Sequence, residues 1–175
     1  MVNSAMKSAV CAAVVTCVAI AGLEAGGHLM PRYGVNVSVN KRTDFWRLRT
    51  YAWTTGWFSV DPALDAQIAA AVDRELAGIG LTMRDADTSD VLVRYGSLHR
   101  NDVDLHARAS TAGLRPEYTV GTLVVQVLDR RTQVELFRAR ADVPLDPGLD
   151  KRRTQVDAVV AEMFDKYPTK KALRR

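Results

Sequence analysis

Cysteine is nearly absent from this chain. Its only two, Cys11 and Cys17, fall within the first 17 of 175 residues. If that stretch is removed, the remainder has no thiol, no disulfide and no thiolate metal site. Histidine is scarce as well, with three in all, and aromatic residues make up 7%. There is no Gly-x-Ser-x-Gly turn and no glycine-rich phosphate loop, so neither a hydrolase elbow nor a nucleotide cradle is encoded. Gly78 and Gly80 lack a third partner and follow a helical pattern rather than a strand, which removes the dinucleotide reading. Ser38, Ser59, Ser89, Ser97 and Ser110 sit in ordinary contexts. Asp85, Asp87 and Asp90 approach a strand as solvated turn residues.

No basic face is written into the body of the chain either. From Asp150 to Arg175 there are eight Lys or Arg against four Asp or Glu, which accounts for the whole net charge of +4. A nucleic-acid binder would distribute such a surplus over a folded surface. Here it belongs to a basic tail, expected over 169–175, so no nucleic-acid partner is expected. No cofactor is expected.

Hydrophobic residues make up 47% of the chain, enough for one proper core. The first segment has a lone Lys7 and an apolar run from Ala9 to Leu23, followed by small residues. A spanning helix needs about 20 apolar residues, and this run is shorter. Its length and flanks suit the apolar region of a secretory signal over 1–25, with the mature chain starting between Gly22 and Gly26. Two alternatives stay open: lipidation at Cys17, where Thr16 stands in place of the usual small residue, and an uncleaved membrane anchor.

After this segment comes a single domain expected over 26–168. Val35, Val37 and Val39 alternate with Asn36, Ser38 and Asn40 as on a half-buried strand. Thr50 to Thr54 reads as a second short strand. A helix follows, with Asp61 as cap, Pro62 in its first turn and a stripe of Leu64, Ile68, Val72, Leu76 and Ile79. Gly78 or Gly80 ends it in the left-handed region. Asp90 to Leu98 is a strand. Leu123, Val125 and Val127 line one face of the next, and Asp129 to Thr132 turns the chain. In the strand after the turn, Phe137, Ala139 and Ala141 share a face, with Glu135 on the same side in water. The last helix carries Val156, Val159, Val160, Met163, Phe164 and Tyr167 at helical spacing, and Pro168 stops it. The fold class is α+β: an antiparallel or mixed sheet of about five strands with two helices packed on one face.

Several segments together carry a family likeness. They are TDFWRLRTYAW, DAQIAAAVDRELAGIGL, SDVLVRYGSL, YTVGTLVVQVLDRRTQVELFRARA and the final helix ending in KYP. Over roughly Val35 to Pro168 the chain resembles the DUF4136 family of bacterial envelope proteins. Members are exported, often as lipoproteins, and have no established activity. The resemblance therefore implies a periplasmic protein of the cell envelope, acting as a non-catalytic binding or structural module with an envelope protein or component as partner. Two features depart from the family. Phe137-Arg138-Ala139 stands where members often have Trp-Arg-Gly, and Cys17 sits in a poor lipidation context.

Two side-chain sets offer a rival, ligand- or metal-binding reading. His99, Asp102, Asp104 and His106 bring imidazoles and carboxylates to a short polar stretch, and on a strand the last three would share a face. Phe45, Trp46, Tyr51, Trp53, Trp57 and Phe58 alternate with Arg47 and Arg49 as a stacking platform would, although Tyr51 and Trp53 also suit a core anchor. Trp57 beside Gly56 could be an exposed loop contact. No set meets the minimum for a reaction type, so an enzyme is not expected.

Overall fold

A computed structural model describes residues 34–56 and 62–170. The expected signal segment with Cys17, and Asp61, Trp57 and Phe58, lie outside those residues. Among the described residues six strands form one mixed sheet: β1 (Val35–Val39), β2 (Thr50–Trp53), β3 (Thr82–Met83), β4 (Val91–Val103), β5 (Glu117–Asp129) and β6 (Glu135–Pro144). They lie in the order β1-β6-β5-β4-β2-β3. The helices are α1 (Pro62–Gly78) and α2 (Leu149–Asp165). The sixth strand, beyond the expected five, is the two-residue edge β3, too short to leave a pattern in sequence. β2 runs parallel to both β3 and β4, while the other pairs are antiparallel.

Both helices cover one face. Their stripes meet Val91, Val93, Leu123, Val125, Val127, Phe137, Ala139 and Ala141 in one core. Alternation along the strands sends every second residue to that core and the rest to the open face. The packing is densest toward the C-terminal ends of the helices. There Val72, Leu76, Val160, Met163, Phe164 and Tyr167 are fully enclosed, and Phe137 lies 5.0 Å from Tyr167 and 5.7 Å from Phe164, centroid to centroid. α1 stops where expected. Gly80 takes φ +89°, and the amide of Leu81 reaches back to the Leu76 carbonyl at 3.0 Å, a glycine-capped helix end. Tyr167 lies just beyond α2 rather than within it, yet is wholly buried.

The expected turn is present. Asp129 Oδ1 accepts from the amides of Arg131 (3.0 Å) and Thr132 (2.7 Å). A bulge follows: Val127 faces Phe137, but Leu128 faces Glu135, so Leu136 is the extra residue. That extra residue shifts the alternation. Glu135 is therefore not on the face of Phe137, contrary to the simple period-two reading; it accepts from Gln126 Nε2, whose Oε1 takes the Arg94 Nε–H at 2.8 Å.

At the other terminus, Thr169 is buried and Lys170 pairs with Glu75 (2.5 Å) and Asp165 (3.1 Å). The packed body thus takes in the first two residues of the segment expected as a solvated tail. Among the described residues, no helix is long and apolar enough to cross a membrane.

Candidate functional site: a cavity under the helix N-termini

β4 and β5 are 13 residues long, whereas β6 ends at Pro144 opposite Val120. The hairpin of β4 and β5 therefore overhangs its neighbours. α2 begins only four residues after β6, so its first turns lie above this overhanging end. Asp65 in the first turn of α1 receives the Tyr95 hydroxyl at 3.0 Å, which sets the start of α1 over the same region. The side chains available there are smaller or fewer than at the packed end, and the helices do not close on the sheet.

What remains is a cavity of about 340 Å³. Its walls are largely apolar: Leu64 and Ile68 from α1, Leu123 from β5, Ala141 and Val143 from β6, and Val156 and Val159 from α2, with Ser97 of β4 as a polar residue beside Leu123. Leu145 completes the wall, and a glycine makes room for it. A Cβ at Gly121 would stand 2.7 Å from Leu145 Cδ2. The rungs of the sheet give the cavity a direction. Ser97, Leu123 and Ala141 form the inner rung, the last two buried; His99, Gly121 and Val143 come next; Asn101 and Thr119 are outermost. His99 and Asn101 are exposed. The apolar depth therefore opens toward a mouth of His99, Asn101, Thr119, Arg152 and Gln155. Gln155 Nε2 donates to the Pro144 carbonyl at 2.7 Å, and its Oε1 is buried with no protein donor.

The four residues of the candidate metal set are separated by the fold. His99 points to the helix-covered face and lines the cavity. Asp102, an odd number of positions away, points to the open face, where Arg100 holds it at 3.0 Å. β4 ends at Val103, so Asp104 and His106 do not continue its alternation. Asp104 Oδ1 instead receives the amides of His106 (2.9 Å) and Ala107 (3.1 Å). Among the described residues, no group of three His, Cys, Asp or Glu is placed to hold a metal ion.

The aromatic set is dispersed too. Phe45 packs edge-on against Tyr167 at 5.2 Å. Tyr51 Oη and Trp53 Nε1 both donate to Asp73 Oδ1, at 2.7 and 2.9 Å, which anchors β2 to α1. Burial and the Asp73 carboxylate raise the Tyr51 pKa well above its ordinary value. Burial and Asp65 likewise push Tyr95 up to about 12. Trp46 alone of the described members is largely exposed.

On the open face, Asp142 gathers three strands. It receives the Thr122 hydroxyl (2.5 Å), Arg140 Nε (3.0 Å) and Arg100 Nη1 (3.3 Å). Burial alone would raise its pKa, but the Arg140 and Thr122 hydrogen bonds, the Arg140 charge and the Arg100 hydrogen bond hold it below the ordinary 3.8. At the sheet's β2–β4 junction, Asp90 is held low against its own burial by the amides of Arg49 and Thr50 and by the Thr50 hydroxyl. These are structural pairings. None of the residues with displaced titrations named here lines the cavity.

Arg152, Gln155, Thr119 and Leu145 were not recognisable in sequence as a site. Two weak signals were present. Gly121 interrupts a strand where a close approach needs it, and the apolar stripe of α2 begins at Val156, about two turns after the helix starts.

The sequence profile of a domain of unknown function, DUF4136, matches residues 35–169. No curated protein matches the chain. Among solved structures, a DUF4136 family protein from Bacteroides thetaiotaomicron overlays with TM-score 0.56 at 10% identity, covering 81% of this chain and 98% of that one. A PDZ domain protein from Parabacteroides distasonis overlays with TM-score 0.55 at 17% identity, covering 78% of this chain. This chain spans only 35% of that protein's length. A minor lipoprotein from Acinetobacter baumannii overlays more loosely, with TM-score 0.44 at 12% identity, covering 68% of this chain and 91% of that one. At these identities the overlays speak to fold alone, but the profile match spans most of the sequence, and the chain belongs to the DUF4136 family.

Proposed function

We propose that this chain is an exported, non-catalytic binding module of the cell envelope, released into the periplasm when its first 25 residues are removed. The observation that carries the binding half is the cavity. It is preformed, of ligand size, largely apolar in depth and polar at one mouth, which is the usual anatomy of a small-molecule site. The displaced titrations of Tyr51, Tyr95, Asp90 and Asp142 belong to pairs elsewhere, where each has a structural partner. Catalytic groups would instead converge on the cleft. The export half rests on the signal-like pattern of Lys7 and the Ala9–Leu23 run.

Intact mass of the natively expressed protein, taken with periplasmic and membrane fractionation, tests the compartment. A soluble periplasmic species with a mass fitting cleavage before Gly22 or Gly26 supports the reading. Added acyl mass on Cys17, or full-length mass in the membrane, moves the module to a tethered position. Full-length protein in the cytoplasm overturns export. For the binding half, native mass spectrometry of the envelope-extracted protein should show a non-covalent adduct that Val143→Phe removes. An adduct-free wild-type protein counts against it.

A further inference from the structure

We infer that the tip of the β4–β5 hairpin is a lipid-surface contact: Leu105 and Leu114 enter the headgroup layer of an anionic phospholipid membrane, and Arg108 and Arg115 meet its phosphates. The hairpin projects from the body. β2 ends at Trp53, opposite Val93, and β6 ends at Pro144, opposite Val120. From there β4 and β5 continue to the Val103–Glu117 rung, three rungs or about 10 Å further. Leu105 and Leu114, in the loop that closes the hairpin, are each 70% exposed, the highest values among the large apolar side chains described. Val103 at the base of the loop is exposed as well. The loop's own polar groups are largely paired. The Asp104 amide donates to the Pro116 carbonyl at 2.9 Å, and the Ser110 amide to the Leu114 carbonyl at 2.6 Å. Gly113, at φ +76°, donates to the Ser110 carbonyl at 2.8 Å, and the Arg115 guanidinium donates to the Leu105 carbonyl and ties the two legs together. Backbone groups satisfied within the loop lose little when water is withdrawn from it.

Charge names the partner. The twelve residues 105–116 contain Arg108 and Arg115 and no Asp or Glu. Of the acids at the base, Asp102 is held by Arg100 at 3.0 Å and Asp104 takes the amides of His106 and Ala107, while Glu117 is exposed. Exposed leucines flanked by arginines, with no acid between them, match the boundary between acyl chains and anionic headgroups. A protein partner fits less well, because a specific protein interface takes about 800 Å² from each side and one twelve-residue loop at the end of two strands does not present that area. The body is oriented to agree. Its rungs run from Val39, Phe137 and Val127 to Val35, Ala141 and Leu123 and then on toward the hairpin, so the segment expected to cross the membrane joins β1 at the hairpin's end. The outer cavity residues Asn101 and Thr119 lie toward the same end, though the loop itself lines no part of the cavity.

The test is sedimentation of the purified, natively processed protein with phosphatidylcholine vesicles prepared with and without phosphatidylglycerol. Expected is retention on the anionic vesicles that is about thirtyfold weaker on phosphatidylcholine alone, the equivalent of two arginines at a charged surface, and that falls with added salt. Arg108→Ser should weaken it about fivefold. Leu105→Ser combined with Leu114→Ser should weaken it about tenfold or more, with the urea midpoint unchanged because both side chains are exposed. A fluorescent probe on Ala112→Cys, in a Cys11→Ser, Cys17→Ser background, should shift to the blue on anionic vesicles. The same probe on Thr132→Cys, in the turn at the opposite end of the sheet, should not. The probe reads depth at the tip itself, so it decides the question even where another segment also holds the protein to the vesicle. A tip probe that stays in water, a tip shift that survives Leu105→Ser with Leu114→Ser, or a shift at Thr132 alone overturns the inference. So does self-association of the free protein that the two leucine changes abolish without any vesicle retention, which would assign the tip to a contact between copies. Each of these failures leaves the binding-module reading standing, since the tip and the cavity share no residue.

Discussion

One sheet face, covered by the same two helices, is packed solid at one end and hollow at the other. At the packed end the C-terminal halves of α1 and α2 supply Val72, Leu76, Val160, Met163 and Phe164, all fully enclosed against Phe137 and Tyr167. At the hollow end the N-terminal half of α1 supplies Leu64 and Ile68, and the middle of α2 supplies Val156 and Val159, above Gly121, Ala141 and Val143. The apolar stripe of α1 runs through both its halves, whereas that of α2 begins only at Val156. What differs is side-chain volume and the overhang of the β4–β5 hairpin. An amphipathic stripe directs a helix to a sheet, but volume decides whether the space between them closes.

The comparison can be broken by truncation. Phe164→Ala at the packed end should cost about 3–5 kcal/mol, read from urea denaturation, because the enclosed aromatic cluster cannot collapse into the void. A loss below about 1 kcal/mol would mean that the two ends are equally loose. Asp73→Ala should cost about 1–3 kcal/mol, since it orphans the Tyr51 hydroxyl and the Trp53 indole together. Gly121→Ala should cost about 1–3 kcal/mol by pressing on Leu145, and it should also reshape the cavity. If stability is unchanged, Leu145 swings aside freely and the rim is soft. Val143→Ala at the hollow end should cost about 1 kcal/mol or less, because its methyls already face open space.

The smallest effect concerns acid stability. Asp142 has a folded pKa below the ordinary 3.8. Its contribution is therefore complete above that value and lost as pH falls through the folded pKa. Asp142→Asn should lower stability near neutrality and flatten the acid limb of a stability–pH curve. An unchanged acid limb would mean that the Arg100–Asp142–Arg140 cluster behaves as solvated surface charge.

Much was legible before any coordinates. Strict alternation in Val35 to Val39, Leu123 to Val127 and Phe137 to Ala141 named the core faces, because period two has only one buried solution. The stripes of α1 and α2, the Gly80 cap and the Asp129 turn were equally plain, since each depends on contacts within a few residues. The error at Glu135 arose where a single inserted residue, Leu136, reversed the alternation without any local mark. β3 escaped because two residues carry no period.

The site was far less legible, and for a physical reason. His99, Asp102, Asp104 and His106 are neighbours in sequence, but the pleat and the end of β4 send them to different places. Gln155 and Gly121 are far apart in sequence and line one cavity only because α2 is laid back over the β5–β6 rungs. Local chemistry is written in sequence as periodicity, caps and turns, and by itself it determined the α+β class, the core faces and the family. The cavity is the difference between the volume that two helices and a sheet enclose and the volume their side chains fill. Only the tertiary structure could decide that difference, because it is a sum over residues that no local pattern brings together.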